Sequence, residues 1–194
     1  MGASAGYLNR VVAAGFVAAA VLRPLAASAD TGPPKLSAGQ IEQLKELKSD
    51  DYSTWRKAES DLLREWSNSG SPAMDLLLQR GETAMKDGHY NIAVEHLTAL
   101  IDHAPDFEDG YNARAEAYYR LGMFGPAVQD IAKALTLNPY DFRALAGLGR
   151  IFQSMDKPKD ALAAYKMAVT IHPHLQSVLD TIKSIEAEAA GQEL

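Results

Sequence analysis

Along residues 38–190 the large apolar residues fall three and four apart, the spacing of a helix with one buried face. Ile41, Leu44 and Leu47 form one such stripe behind Ser37, a good N-cap, and predict a helix over 38–48. Trp55, Leu62, Leu63 and Trp66 predict a second over 52–67, ended by Asn68-Ser69-Gly70-Ser71; Pro72 suits the first turn of the next. The start of the chain is patterned differently. Residues 11–22, VVAAGFVAAAVL, are apolar without interruption between Arg10 and Arg23, and are too short for the about 20 residues that cross a bilayer comfortably. With Ala27-Ser28-Ala29 following, residues 1–29 are expected to be a secretory signal cleaved before Asp30. The rival is an uncleaved inner-membrane anchor with Arg10 and Arg23 snorkelling to opposite interfaces. A mitochondrial-type presequence is weaker, since only two Arg are present. Residues 30–35, DTGPPK, form an extended linker, and 36–70 a lead-in helical pair expected to cover the open end of a helical stack.

From residue 74 onward a second, longer period governs the pattern. Pro105, Pro139 and Pro173 recur every 34 residues, as do Ala93, Ala127 and Ala161, and the small residues Gly81, Ala115 and Gly149. Leu97, Ile131 and Tyr165 keep the same register, and Gly88, Gly122 and Asp156 mark a turn inside each unit. With proline at about 5% of residues, three in strict register arise by chance about once in 10⁴ alignments. The small residues let helices approach closely. Gly88 and Gly122 supply a left-handed turn that Asp156 also tolerates, and each proline ends a unit.

These residues at these offsets resemble the tetratricopeptide repeat, a helix–turn–helix unit. The resemblance covers 74–107, 108–141 and 142–175, followed by a C-terminal capping helix over 176–190. It implies an all-α, right-handed helical solenoid with a lead-in pair and a cap. Departures concentrate in the first repeat. Arg80, like Arg114, stands where the pattern prefers Leu, Ala84 is small where Tyr118 and Phe152 are large, and His103 replaces an apolar residue. The first repeat is therefore expected to be the loosest packed.

In such a stack the first helix of each repeat lines the concave side, and a partner protein, as an extended or helical segment, is expected to bind there. The stripes are Asp75, Leu78, Glu82 and Met85 flanked by Gln79 and Lys86; then Asp109, Asn112, Glu116 and Tyr119 edged by Arg120; then Arg143, Ala146, Arg150 and Gln153. The groove thus runs from acidic and apolar to basic. Reversing Arg143 and Arg150 to Glu is expected to abolish binding without unfolding. The resemblance also implies a known mode, capture of a partner's C-terminal carboxylate by Lys, Asn and Arg, but it does not carry over. The corresponding positions hold Leu78, Glu82, Ala113 and Gly147, and only Arg143 is basic.

Composition narrows the alternatives. A net charge of −6 excludes a generic nucleic-acid binder, and zero cysteine excludes disulfides, thiolate metal sites and a lipid anchor. Removing residues 1–29 leaves 17 basic against 25 acidic groups, a net of −8. His96 and His103 lie seven apart, too far for one metal ion on a helix. His172-Pro173-His174 reads as helix-end cations near terminal carbonyls, and Asp106, Glu108 and Asp109 as acids of a first helical turn without a calcium loop. Gly147-Leu148-Gly149 lacks a dinucleotide site's third glycine, and no serine sits in a nucleophile elbow. The expectation is a non-catalytic scaffold without cofactor or metal. It is expected in the periplasm, touching a membrane only if the N-terminal segment is uncleaved.

Overall fold

The computed structural model describes residues 36–191, and all regular structure among them is helical. The expected signal (1–29) and linker (30–35) lie outside the described residues. The elements are α1 (Ala38–Glu46), α2 (Tyr52–Trp66), α3 (Pro72–Lys86), α4 (Tyr90–His103), α5 (Glu108–Arg120), α6 (Phe124–Leu137), α7 (Phe142–Ser154), α8 (Pro158–Ile171) and α9 (Gln176–Gly191). Among the described residues no helix is long and apolar enough to cross a membrane.

Local chemistry sets these limits. Ser37 and Gln40 close a capping box, each backbone N–H donating to the other's side chain, at the start of α1. Asp51 accepts from Thr54 N at 2.8 Å and starts α2. The turns between paired helices place Gly88 at φ 75°, Gly122 at φ 72° and Asp156 at φ 56°, the left-handed conformation the register calls for. Ala93, Ala127 and Ala161 are fully buried where the pairs cross. A Cβ on Gly81 would lie 2.6 Å from Leu97, and one on Gly149 would lie 2.5 Å from the Tyr165 ring. At the equivalent position Ala115 is fully buried in one cluster with Ile131.

Each core cluster ties one repeat to the next. Leu78, Ala93, Leu97 and Leu100 of α3–α4 enclose Ala117 of α5, and Ala127 and Ile131 of α6 enclose Ala144 and Ile151 of α7. Ala161 and Tyr165 of α8 pack on Val178, Ile182 and Ile185 of α9. Each such large side chain contributes about 1.5–3 kcal/mol on burial. The chain is thus an all-α solenoid whose units touch only their neighbours. First helices also touch one another, α3 to α5 and α5 to α7, so they occupy the inside of the curve.

The lead-in pair departs from expectation. Instead of covering the open end of the stack at the first repeat, α2 runs back along the edge where one repeat's chain turns into the next. Trp55 stacks on His174 at 4.7 Å, Trp66 lies 5.6 Å from Phe142, Ser67 donates to Asp109, and Ser69 donates to Asp75. Its termini therefore touch all three repeats and the turn before the cap. The reason is local: the inter-repeat edge offers Tyr140, Phe142 and His172 as apolar and aromatic surface. The first repeat's outer face offers aliphatic Leu76 and Ile92 among the polar Gln79, Arg80 and Thr83, and no aromatic ring. Burying aromatic against aromatic wins.

Candidate functional site

The inner face is built by α3, α5 and α7, and the 34-residue period sets its electrostatics. Residues one period apart lie side by side on adjacent first helices, so opposite charges at the same repeat position pair. Arg143 Nη2 donates to Asp109 Oδ1 at 3.1 Å, and Arg150 Nη2 donates to Glu116 Oε2 at 2.8 Å. The two pairs differ sharply in setting.

Arg143 is engaged by buried groups, with 29% of its side chain left exposed. It donates to both Asp141 oxygens, from Nε at 3.1 Å and from Nη2 at 3.0 Å, and its guanidinium stacks over the Trp66 ring at 5.6 Å. Asp141 is fully buried and caps α7, accepting from the backbone N–H of Arg143 and Ala144. Asp109 is only 5% exposed and takes the Ser67 hydroxyl at 2.6 Å. These facts correct two expectations. Asp109 and Arg143 are no free groove surface, and reversing Arg143 to Glu would collect four acids in one buried pocket. Reversing Arg143 is therefore expected to destabilise the fold as well as alter the groove.

Glu108 completes the cluster. It is no simple first-turn acid: burial, then the charge of Asp141, pushes its carboxyl up to about 10. The neutral acid is therefore favoured, a donor toward Asp141, while its Oε1 is buried without a partner. Burial also raises Asp109. The sign for Glu108 follows from linkage. A folded pKa above the unfolded value of 4.5 means its contribution is full below pH 4.5 and is lost as pH rises toward about 10. Glu108→Gln, which keeps a donor for Asp141, is expected to stabilise the protein by more than about 1 kcal/mol at pH 8 and hardly at pH 4.5. Urea unfolding at the two pH values measures this; equal effects at both would contradict it.

His172 also differs from its expected role as a helix-end cation. It is fully buried between Trp55, Phe142 and His174, with Nε2 3.3 Å from Glu59 Oε1. Burial lowers its pKa, so the neutral ring is favoured, against the opposing pull of Glu59. His174 Nε2 reaches Ser49 O at 2.8 Å, fixing the other end of the lead-in segment.

What remains open on the inner face is the stretch around α5 and α7. Arg150 is half exposed, lies 5.7 Å over the Tyr119 ring and shares Glu116 with Arg120, whose Nε stands 2.9 Å from Oε1. The Tyr119 hydroxyl meets Ser154 Oγ at 3.2 Å. Asn112, which bonds Asp141 at 3.4 Å, joins this open strip to the buried cluster. Gln153 is exposed and accepts from the Tyr165 hydroxyl at 2.7 Å. Beneath this strip the accessible space is only about 20 Å³, room for a water but not for a side chain. A ligand can therefore lie across the strip but cannot insert a side chain. On α3, Glu82 and Lys86 are exposed, whereas Leu78 is buried and Asp75 is tied to Ser69. Gln79 lies away from the groove, on the outer end of the first repeat. Sequence reasoning missed Asp141 and the burial of Glu108. The opposite charges at 109 and 143, and at 116 and 150, were the signal that could have found both ion pairs.

Among the described residues no group of three or more acidic or histidine side chains is placed to hold a metal ion.

The tetratricopeptide repeat family model matches residues 108–141, the second of the three units. A TPR repeat-containing protein of Rhizobium etli is 25% identical over 159 residues, covering 81% of this chain and 77% of the relative. Small glutamine-rich tetratricopeptide repeat-containing protein 2 of Saccharomyces cerevisiae is 34% identical over 99 residues, covering 51% of this chain and 28% of its own length. Among solved structures, the first TPR of Spaghetti (RPAP3), bound to the HSP90 peptide SRMEEVD, superposes with a TM-score of 0.58. It is 25% identical and covers 60% of this chain and 93% of that one.

Proposed function

Because this chain is a tetratricopeptide-repeat protein, we propose that it is a non-catalytic interaction scaffold seating a partner peptide or helix across the open strip of α5 and α7. One observation carries the reading: Arg150 is held over the Tyr119 ring by a solvent-accessible pair with Glu116. An exposed pair of this kind is worth only about 0–1 kcal/mol, so an incoming carboxylate displaces Glu116 at little cost. The ring meanwhile offers rigid contact area. The peptide held by the RPAP3 neighbour supports the reading in kind. Its terminal carboxylate mode is not proposed here, since Leu78, Glu82, Ala113 and Gly147 give no clamp and Arg143 is already engaged.

A photo-crosslinker at Gln153, activated in cells, tests the seat. The expected result is a discrete crosslinked product that falls about tenfold in Arg150→Glu with the melting curve unchanged. Undiminished crosslinking in that variant overturns the seat. For location, the proposal is export by residues 1–29 into the periplasm, with membrane anchoring as the alternative. Fractionation followed by N-terminal sequencing decides: a soluble chain beginning at Asp30 supports export, and a membrane-bound chain retaining Met1 overturns it.

A further inference from the structure

The two later repeats each accept the preceding repeat on one face of their first helix. Gly110 of α5 packs on Leu100 and Ile101 of α4, and Ala113 and Ala117 extend that contact. On α7, Gly147 and Ile151 meet Ile131 of α6 in the same way. One period earlier the corresponding positions are Leu76, Gln79 and Thr83 of α3. No described helix covers them, because α2 is committed to the inter-repeat edge. Among the described residues the first repeat therefore presents, uncovered, the face with which its successors stack.

Three features of this face point to a particular occupant. Leu76 on α3 and Ile92 on α4 are each 45% exposed, and they are two of the four large apolar side chains exposed among the described residues. Between the helices an open cleft of about 510 Å³ lies over Ala84. Tyr118 and Phe152 stand at that position in the later repeats, so the cleft is the space of a missing aromatic ring. Finally, Arg114 shows what an arginine at Arg80's position takes. Its Nε and Nη2 donate to the two Asp130 oxygens at 2.7 and 2.8 Å, and its Nη1 reaches Thr98 of the preceding repeat at 3.1 Å. In the first repeat His96 replaces that aspartate, and Arg80 has neither hydrogen bond nor ion pair among the described residues. Asp87 lines the far end of the cleft, beside His89 at the turn, without pairing with Arg80.

We propose that this end face docks a helical segment of a partner protein carrying a bulky apolar side chain for the slot over Ala84 and a carboxylate, one helical turn away, for Arg80. The interface continues the inter-repeat packing already in the molecule, with the partner in the place of a preceding hairpin. It uses none of the α5–α7 strip and stands or falls separately from that reading.

The test uses labelled helical peptides of about 18 residues bearing Phe and Glu one turn apart, with versions in which Phe becomes Ala or Glu becomes Lys. Fluorescence anisotropy on the full chain is expected to show binding of the Phe/Glu peptide at least about tenfold tighter than either control. Ala84→Tyr, which fills the slot with the residue the second repeat already carries there, and the surface change Arg80→Glu should each remove that preference. Arg150→Glu should leave it unchanged. Absence of binding, or binding indifferent to both Ala84→Tyr and Arg80→Glu, overturns the proposal. So does concentration-dependent dimerisation in sedimentation that Ala84→Tyr abolishes, which would assign the face to a second copy.

Discussion

Arg143→Ala is expected to cost about 3–5 kcal/mol of folding stability, the usual penalty for removing one partner of a buried ion pair. Asp141 is fully buried and Asp109 nearly so, and Arg143 is the cation bonded to both. Their remaining partners are neutral: Ser67 on Asp109, and on Asp141 the first N–H groups of α7, Asn112 at 3.4 Å and the Glu108 carboxyl. The stacking of the guanidinium on Trp66 is lost as well. A domain of this size moves by about 2–4 °C per kcal/mol, so the melting temperature should fall by about 6–20 °C. Arg150→Glu on the same inner face should move it by less than about 3 °C. Thermal unfolding followed by circular dichroism compares the two. Equal shifts would mean that the Asp109–Asp141–Arg143 cluster is not the structural centre described above.

Trp66→Ala should release α1 and α2 from the array. The indole is 8% exposed, packs against Phe142 and covers Arg143. Truncating a buried tryptophan costs about 3–5 kcal/mol. The loss is expected to appear as local opening, because the repeat cores at Leu97, Ile131 and Tyr165 hold no residue of the lead-in pair. Protease cleavage within residues 36–70 should therefore accelerate by about 10²-fold, while amides of α5 to α8 keep their protection from hydrogen exchange. Uniform loss of protection across all three repeats would show that the array has no stability of its own.

Much of this architecture is legible in the sequence because solenoid packing is local. The glycine and alanine positions, the left-handed turns at Gly88, Gly122 and Asp156, and the helix pairs follow from residues at most one period apart. The lead-in pair is another matter. Its helices announce themselves through Ser37, Asp51 and the tryptophan stripe, but its docking partners lie far along the chain and in no register with it. Ser67 meets Asp109 across 42 residues, and Ser49 meets His174 across 125. Nothing in a helical period encodes such contacts. The inner face was legible in composition and misread in exposure. Asp109 and Glu116 look alike in a stripe of polar positions, yet the lead-in segment seals one and leaves the other half open. A polar residue's accessibility depends on what lies over it, which here comes from another part of the chain.

The order of synthesis gives the return path of α2 a further meaning. Ser49 and Trp55 leave the ribosome more than a hundred residues before His172 and His174, the groups they rest on. Stacked repeats ordinarily fray from either end independently, as a zipper does. Here the start of α2 closes on the turn before α9, so a nascent or prematurely terminated chain leaves Trp55 uncovered. The finished molecule carries a clasp across its repeats, one that can open ahead of the cores beneath it.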